Sequence, residues 1–323
     1  MRDVEWMNEL SPELVLARDQ TGPDLDRRQL ARSAAAGVHH RLARGAYVPA
    51  EEWTRLDLRH KYLARIVAAS TTLRSRPVIS HVSAAAIWNL PNIVPWPQNL
   101  HVTVHPLSNG RSRNGIVRHL AALKEEDVVE VAGLYVTSLS RTILDIAATA
   151  KFIEAVVMAD FALHVDRFGR QSPLATRKML EAAWERAMPL RAHSRTRAVL
   201  AFAETQADSP LESVSRVNMR LIGVPRPRLQ VPHYDSQGFI GECDFTWESY
   251  GQVAEADGDK KYLDPEFRGG RTAEQVLLDE KKREDRLRAL PRGVTRWPWS
   301  VGIDAVALRQ KLVRAGLPTG QKW

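Results

Sequence analysis

The sequence predicts an α/β chain of the α+β multidomain kind: an N-terminal winged helix, a middle α/β domain, and a C-terminal mixed sheet flanked by helices. Three observations carry that reading. At 323 residues the chain is long enough for roughly two or three domains that each bury a core. Stretches with helical spacing of apolar residues alternate with short strand-like runs instead of segregating into one class. Near the end, two apolar runs that read as strands are interrupted by carboxylates, where a fold would rather have none. Boundaries are expected at 1–55 for the winged helix, 56–200 for the middle domain and 201–323 for the last.

The first domain is basic and short. Leu25, Leu30 and Ala34 mark one face of a helix, with Arg27, Arg28 and Arg32 on its wet face and Gly37 as its stop. Val38 to Ala43 alternates as a strand, Arg44-Gly45 turns, and Ala46-Tyr47-Val48 returns. Helix, turn and basic two-stranded wing describe a winged helix-turn-helix. Arg27, Arg28, Arg32 and Arg44 are placed to meet the phosphates of duplex DNA.

In the middle stretch, helical periodicity runs through Leu58 to Leu73 and Ser80 to Leu90, and later through Leu139–Ala150, Phe152–Val165 and Thr176–Ala187. Leu100 to His105, Ile116 to Leu120 and Gly133 to Thr137 read as strands. His101, His105 and His119 invite a metal hypothesis, but two of them share one face of one strand and no carboxylate completes a set. Cross-strand packing or phosphate contact is the better account. Arg141 and Asp145 lie four apart on a helix and read as an ion pair. The basic stretch Met188 to Arg197 reads as a solvated linker face, since Pro189 rules out an uninterrupted helix.

The last domain opens on Ser209-Pro210-Leu211-Glu212, a helix start with Ser209 as N-cap, Pro210 at the first helical position and Glu212 closing a capping box. Asp244 then interrupts the apolar run Cys243 to Trp247. Glu248-Ser249-Tyr250-Gly251 reverses the chain, and Gln252 to Asp257 returns with Glu255 and Asp257 on one face. Three converging carboxylates repel unless a cation sits among them, and a hard divalent ion, Mg²⁺ or Mn²⁺, is the usual answer. Lys260 and Lys261 follow at once. Carboxylates with an adjacent lysine match the needs of phosphodiester hydrolysis: an activated water, and neutralised charge on the phosphate. A calcium loop is excluded, because Lys260 stands where that loop needs Gly.

Two family resemblances lie on these residues. Asp244, then Glu255-Ala256-Asp257-Gly258, then Lys261, with the basic helix Glu280 to Arg286 and the strand Val294-Thr295-Arg296-Trp297, resembles the PD-(D/E)XK nuclease superfamily in its small very-short-patch-repair-like branch. That resemblance covers roughly the last third of the chain. It implies a restriction-endonuclease-like fold with Asp244, Glu255 and Asp257 as metal ligands, Glu212 completing the set from the preceding helix, and Lys261 as the catalytic lysine. The family's usual lysine two residues after the glutamate is here Asp257, which displaces that role to Lys261. Leu42 to Pro49, and Ser80-His81-Val82-Ser83-Ala84-Ala85-Ala86-Ile87-Trp88, resemble the type IV abortive-infection (AbiEi-like) antitoxin family. This second resemblance implies a DNA-binding regulator with a cognate toxin as partner.

Composition agrees without adding specificity. A net charge of +8 and a pI near 9.8 favour a polyanionic partner. One cysteine, Cys243, leaves no disulfide framework and no zinc spacing. The acidic start of the chain is no signal sequence, and no apolar run reaches the roughly 18 residues of a membrane span, so no membrane partner and a cytoplasmic site are expected. Two functions follow. One is a DNA-targeted, Mg²⁺-dependent endodeoxyribonuclease of phage-defence or toxin–antitoxin type. The other is an antitoxin-like regulator that keeps the nuclease-like fold as an inert scaffold. On the first, Asp244→Asn and Glu255→Gln should both relieve like-charge repulsion in the metal-free state.

Overall fold

The computed structural model describes residues 14–18, 27–73, 76–108, 112, 115–166, 169, 171–190, 192–257, 272–290 and 292–323. The chain forms two compact units: Met1–Met158 with Leu174–Ala201, and Ala159–Pro173 with Phe202–Trp323. Among the described residues, twelve α-helices and three sheets, each antiparallel or mixed, make an α/β multidomain fold.

In the first unit, α1 (Arg27–Ala35) ends just before Gly37, whose φ of 77° suits a residue without a Cβ. Strands β2 (His39–Ala43) and β3 (Ala46–Pro49) form the expected hairpin, with Gly45 left-handed at the turn. The short strand β1 (Val15–Leu16) adds to β3, so the sheet has the order β1-β3-β2. Ala46, Tyr47 and Val48 are its buried residues. Helix α2 (Ala50–Arg55) follows, then α3 (Leu58–Thr72), which starts where Asp57 accepts the His60 N–H at 2.8 Å.

The second sheet of this unit has five strands where three were expected from the sequence. It runs β6 (Ile116–Leu120), β5 (Leu100–Val104), β4 (Val78–Ile79), β8 (Leu134–Thr137), β7 (Val128–Val131). Two residues at β4 are too few to show a period, and β7 has only four. Helices α4 (His81–Ile87) and α5 (Leu139–Thr149) follow β4 and β8. Tyr62 and Ile66 of α3 meet Ile79, Ile87, Leu100, Val102 and Val136 in one core. Helix α6 (Phe152–Leu163) contains the first division between units, and α7 (Arg177–Ala187) is capped by Thr176. The stretch expected to be a linker face is helical from His193, where α8 (His193–Phe202) begins; Pro189 breaks the chain before it and not within it.

The second unit is built on α9 (Pro210–Ile222), β9 (Arg228–Asp235), β10 (Gly238–Trp247), β11 (Gln252–Ala256), α10 (Ala273–Ala289), β12 (Gly293–Trp297), α11 (Trp299–Gly302) and α12 (Ala305–Arg314). The strand order is β12-β11-β10-β9; β9/β10 and β10/β11 pair antiparallel, while β11/β12 pair parallel. A parallel pair needs a long crossover, and the segment containing α10 is that crossover. Val253 and Ala254 are successive, so they face opposite sides. Ala254 and Ala256 pack with Phe245, Trp247 and Trp297 against Leu211 and Met219 of α9 and Leu308 and Leu312 of α12. Val253 joins Ile240, Cys243 and Leu287 of α10. Helices therefore cover both faces of the sheet. Gly223 ends α9 with φ 71°, and a Cβ there would come within 2.8 Å of the Gly320 backbone nitrogen. Among the described residues, no helix is long and apolar enough to cross a membrane.

Candidate functional site: a glutamine-bridged carboxylate pair and an arginine clamp

The first part of the site is set by the β9–β10 register. Cys243 pairs with Val231 and Phe245 with Leu229, which places Gln230 across from Asp244. Gln230 is left-handed, with φ 47°, a strained conformation for a residue with a Cβ. Its amide nitrogen Nε2 lies 3.2 Å from Asp244 Oδ1 and 3.0 Å from Glu212 Oε2. One nitrogen thus donates to two carboxylates and brings their oxygens within about 6 Å of each other. Asp244 Oδ2 accepts the backbone N–H of Ala256 at 2.8 Å, so Asp244 is also tied to β11.

Glu212 arrives from the first turn of α9. Ser209 accepts the Glu212 N–H at 3.2 Å and caps the helix, as its sequence predicts. The Glu212 carboxylate in turn takes the Ser209 hydroxyl at 2.7 Å and the Asp208 N–H at 2.9 Å. The capping box expected there is not closed, because the carboxylate takes the Asp208 N–H and the Ser209 hydroxyl instead of the Ser209 N–H. Burial, and after it the charge of Asp244, holds the Glu212 carboxyl far above the usual carboxylate range. A buried acid beside a second acid is donor chemistry that a divalent cation relieves, and a cation held by Glu212 and Asp244 would displace the Gln230 amide nitrogen that both now accept from.

The second part of the site is centred on Glu255. Its Oε1 is 2.6 Å from Arg283 Nη2 of α10, and its Oε2 is 2.5 Å from Arg296 Nη2 of β12. The parallel β11/β12 register sets Glu255 beside Arg296. Arg296 also lies 3.3 Å from Glu284 and 3.7 Å from Asp257. Glu255 and Asp257 thus do share a face, and a guanidinium stands against both. Burial raises the Glu255 carboxyl, opposed by the two arginines, with Asp244 raising it further. Space for Arg283 depends on Gly241, where a Cβ would sit 3.1 Å from the arginine Cδ. Burial pushes the nearby Cys243 thiol up to about 12.

The structure therefore brings Glu212 and Asp244 together through Gln230, and Glu255 and Asp257 together through Arg296. Among the described residues, no three His, Cys, Asp or Glu side chains are arranged to hold a metal ion. Lys261 lies outside the described residues. Gln230 was not legible as a site residue: an amide in a strand carries no charge signal, and only the hairpin register reveals its place.

The DNA-facing arginines are partly described. Arg32 on α1 and Arg44 at the β2–β3 turn are exposed, while the side chains of Arg27 and Arg28 lie outside the described ones.

A histidine cluster occupies the five-stranded sheet. His101 Nδ1 is 3.0 Å from His119 Nε2, and the His81 ring stacks on His119 with centroids 3.4 Å apart. His81 is left-handed at φ 54°, and its Nδ1 lies 2.9 Å from Ser80 Oγ and 3.9 Å from Asp145. Arg141 pairs with Asp145 at 2.8 Å, as expected, and also with Asp127 at 3.1 Å. Burial first, then neighbouring charge, lowers His81 to about 2 and His101 to about 4, and burial lowers His119. Stacked neutral rings are packing, so His101 and His119 act as cross-strand partners while His105 is exposed. His81, the missed member, sits at a helix start, where no strand alternation points to it.

No protein-family model matches the chain, and no curated protein matches it. Among solved structures it is similar to the Rv2827c protein of Mycobacterium tuberculosis, at 14% identity and a TM-score of 0.32, over 72% of this chain and 87% of that one.

Proposed function

We propose that the chain is a DNA-binding protein whose C-terminal sheet carries a metal-dependent endonuclease-like site. The observation that supports this most is the pairing of the buried Glu212 with the half-buried Asp244, joined by one amide nitrogen on a mixed sheet. A divalent cation such as Mg²⁺ or Mn²⁺ bound there supplies a more acidic water and neutralises charge on the phosphate. Asp244 and Glu212 are the residues to hold it, and Gln230 fixes the orientation of both carboxylates until the cation displaces its amide. Glu255 and Asp257 hold Arg296, and Lys261 steadies the phosphate as its charge grows. Arg27, Arg28, Arg32 and Arg44 bind duplex phosphates and set the approach. Work in a reducing cytoplasm suits the single buried thiol, Cys243. Nicking of a supercoiled plasmid in Mg²⁺ or Mn²⁺, abolished by EDTA, tests the reading.

A second reading is supported by a specific observation, the enclosure of Glu255 between Arg283 and Arg296. An acid already neutralised twice is a poor metal ligand. On that reading the domain is a scaffold, and the chain is an AbiEi-like antitoxin and regulator with a cognate toxin as partner. Absence of metal-dependent cleavage together with operator binding supports it.

A further inference from the structure

A cavity of about 240 Å³ opens in the second unit, lined by Arg216, Arg226, Arg228, Glu204, Gln206 and Trp323, among others. None of these residues belongs to the carboxylate pair or the arginine clamp. Its floor is rigid. Arg216 is 3% exposed and is held at 2.7 Å by both Asp160 and the Phe202 carbonyl. Its rim is exchangeable. Arg226 and Arg228 flank the buried Pro227, both line the cavity, and both are well exposed. Arg226 is paired with Glu204 and Arg228 with Glu248, and exposed pairs of that kind hold their partners weakly. A phosphate offers each guanidinium a better, two-pronged acceptor. One wall is an indole fixed in place: Trp323 Nε1 donates to the Val224 carbonyl at 2.5 Å, and its ring stacks near Phe202.

We infer that this cavity binds the phosphate of a nucleotide, with Arg226 and Arg228 on the anion, Arg216 behind it, and the sugar and base against Trp323. Each of the three arginines has a carboxylate partner, Asp160, Glu204 or Glu248. The anion therefore enters by displacing Glu204 and Glu248 from the two exposed arginines while Arg216 stays on Asp160. The volume is below the roughly 300–1,000 Å³ of sites that enclose a drug-sized ligand, so the cavity takes the phosphate end of a nucleotide and leaves its base at the rim against Trp323. The inference stands apart from cleavage, because it uses none of the residues assigned to catalysis.

The test is anisotropy binding of the full chain to a short single-stranded oligonucleotide carrying either a 5′-phosphate or a 5′-hydroxyl. The phosphorylated strand should bind about tenfold more tightly. Arg226→Gln with Arg228→Gln should erase that preference at an unchanged melting temperature. Glu204→Gln, which removes the competing carboxylate, should widen it several-fold. AMP should displace the phosphorylated strand, and inorganic phosphate should do so far less well. Displacement by inorganic phosphate equal to that by AMP would overturn the nucleotide assignment. Equal affinity for the two strands, or a preference that survives the double substitution, would overturn the site.

Discussion

Glu212 Oε2 and Asp244 Oδ1 are bonded to the same nitrogen, Gln230 Nε2, at 3.0 and 3.2 Å. The two acids come from a helix and a strand far apart in the chain, and a neutral amide is what holds them at close range. That relationship separates two kinds of carboxylate in the last domain. Burial and the charge of Asp244 keep Glu212 from ionising, whereas Glu255 is compensated by Arg283 and Arg296.

The two kinds should respond differently to neutralisation. Glu212→Gln replaces an acid that resists ionisation and turns its new amide nitrogen to the Ser209 hydroxyl, so metal-free stability should hold within about 1 kcal/mol. Asp244→Asn instead sets an amide N–H against Gln230 Nε2 or the Ala256 N–H and should cost about 1 kcal/mol. Glu255→Gln leaves two guanidinium groups facing a neutral amide and should cost about 2 kcal/mol. Relief of repulsion, the sequence-based expectation for Asp244 and Glu255, gives way here to loss of their hydrogen-bond and arginine partners. Urea denaturation with EDTA present measures all three, and equal effects at Glu212 and Glu255 would contradict the distinction.

The histidine cluster should cost stability on mild acidification. His101, lowered to about 4, and His81, lowered to about 2, stay neutral in the fold while the unfolded chain takes up protons from about pH 6.5. The cluster's contribution is therefore full above pH 6.5 and is lost as pH falls toward 4. Four carboxyls have the opposite sign: burial raises Asp145 to about 6 and also raises Asp160, Glu212 and Glu255, so their neutral forms are favoured in the fold. The cluster is therefore read by difference: the melting temperature of wild type relative to His101→Gln should fall between about pH 6.5 and 4.5. A difference that stays constant with pH would remove the cluster from the account.

Duplex binding should depend on the N-terminal arginines. Replacing Arg27, Arg28 and Arg44 together should weaken binding to all sequences and flatten its salt dependence by roughly one unit per lost phosphate contact. Filter binding over a salt series reads this directly, and an unchanged slope would rule out the wing as the contact surface.

Much of the last domain was legible because its signals are local. Ser209-Pro210 marks a helix start through capping alone, and Asp244 and Glu255 stand out as charges within apolar strands. The β10–β11 hairpin follows from its alternation and from Gly251, left-handed at the turn. Partners across the fold were not legible. Gln230 acquires its place only from the β9–β10 register, and the Glu255–Arg296 pair only from a parallel pairing across the α10 crossover. His81 was hidden because a helix start gave no strand pattern to follow. Two-residue β4 was hidden because a period cannot be read from one repeat.

The lysine proposed to act in cleavage carries its own prediction. Lys261→Ala should leave Mn²⁺ affinity nearly intact while slowing cleavage by about 10²–10³, the usual effect of removing one partner of the transition-state charge. Calorimetric titration of Mn²⁺ beside single-turnover cleavage separates the two effects. A loss of metal affinity with no change in the cleavage step would assign Lys261 to the structure of the site.

The most direct measurement is plasmid nicking by wild type and by Asp244→Asn, in Mn²⁺ and in EDTA, with far-ultraviolet circular dichroism to confirm folding. The account predicts nicking by wild type in Mn²⁺ alone, and none by the folded Asp244→Asn protein. Cleavage that persists in the variant or in EDTA, or its absence from wild type in Mn²⁺, would contradict it.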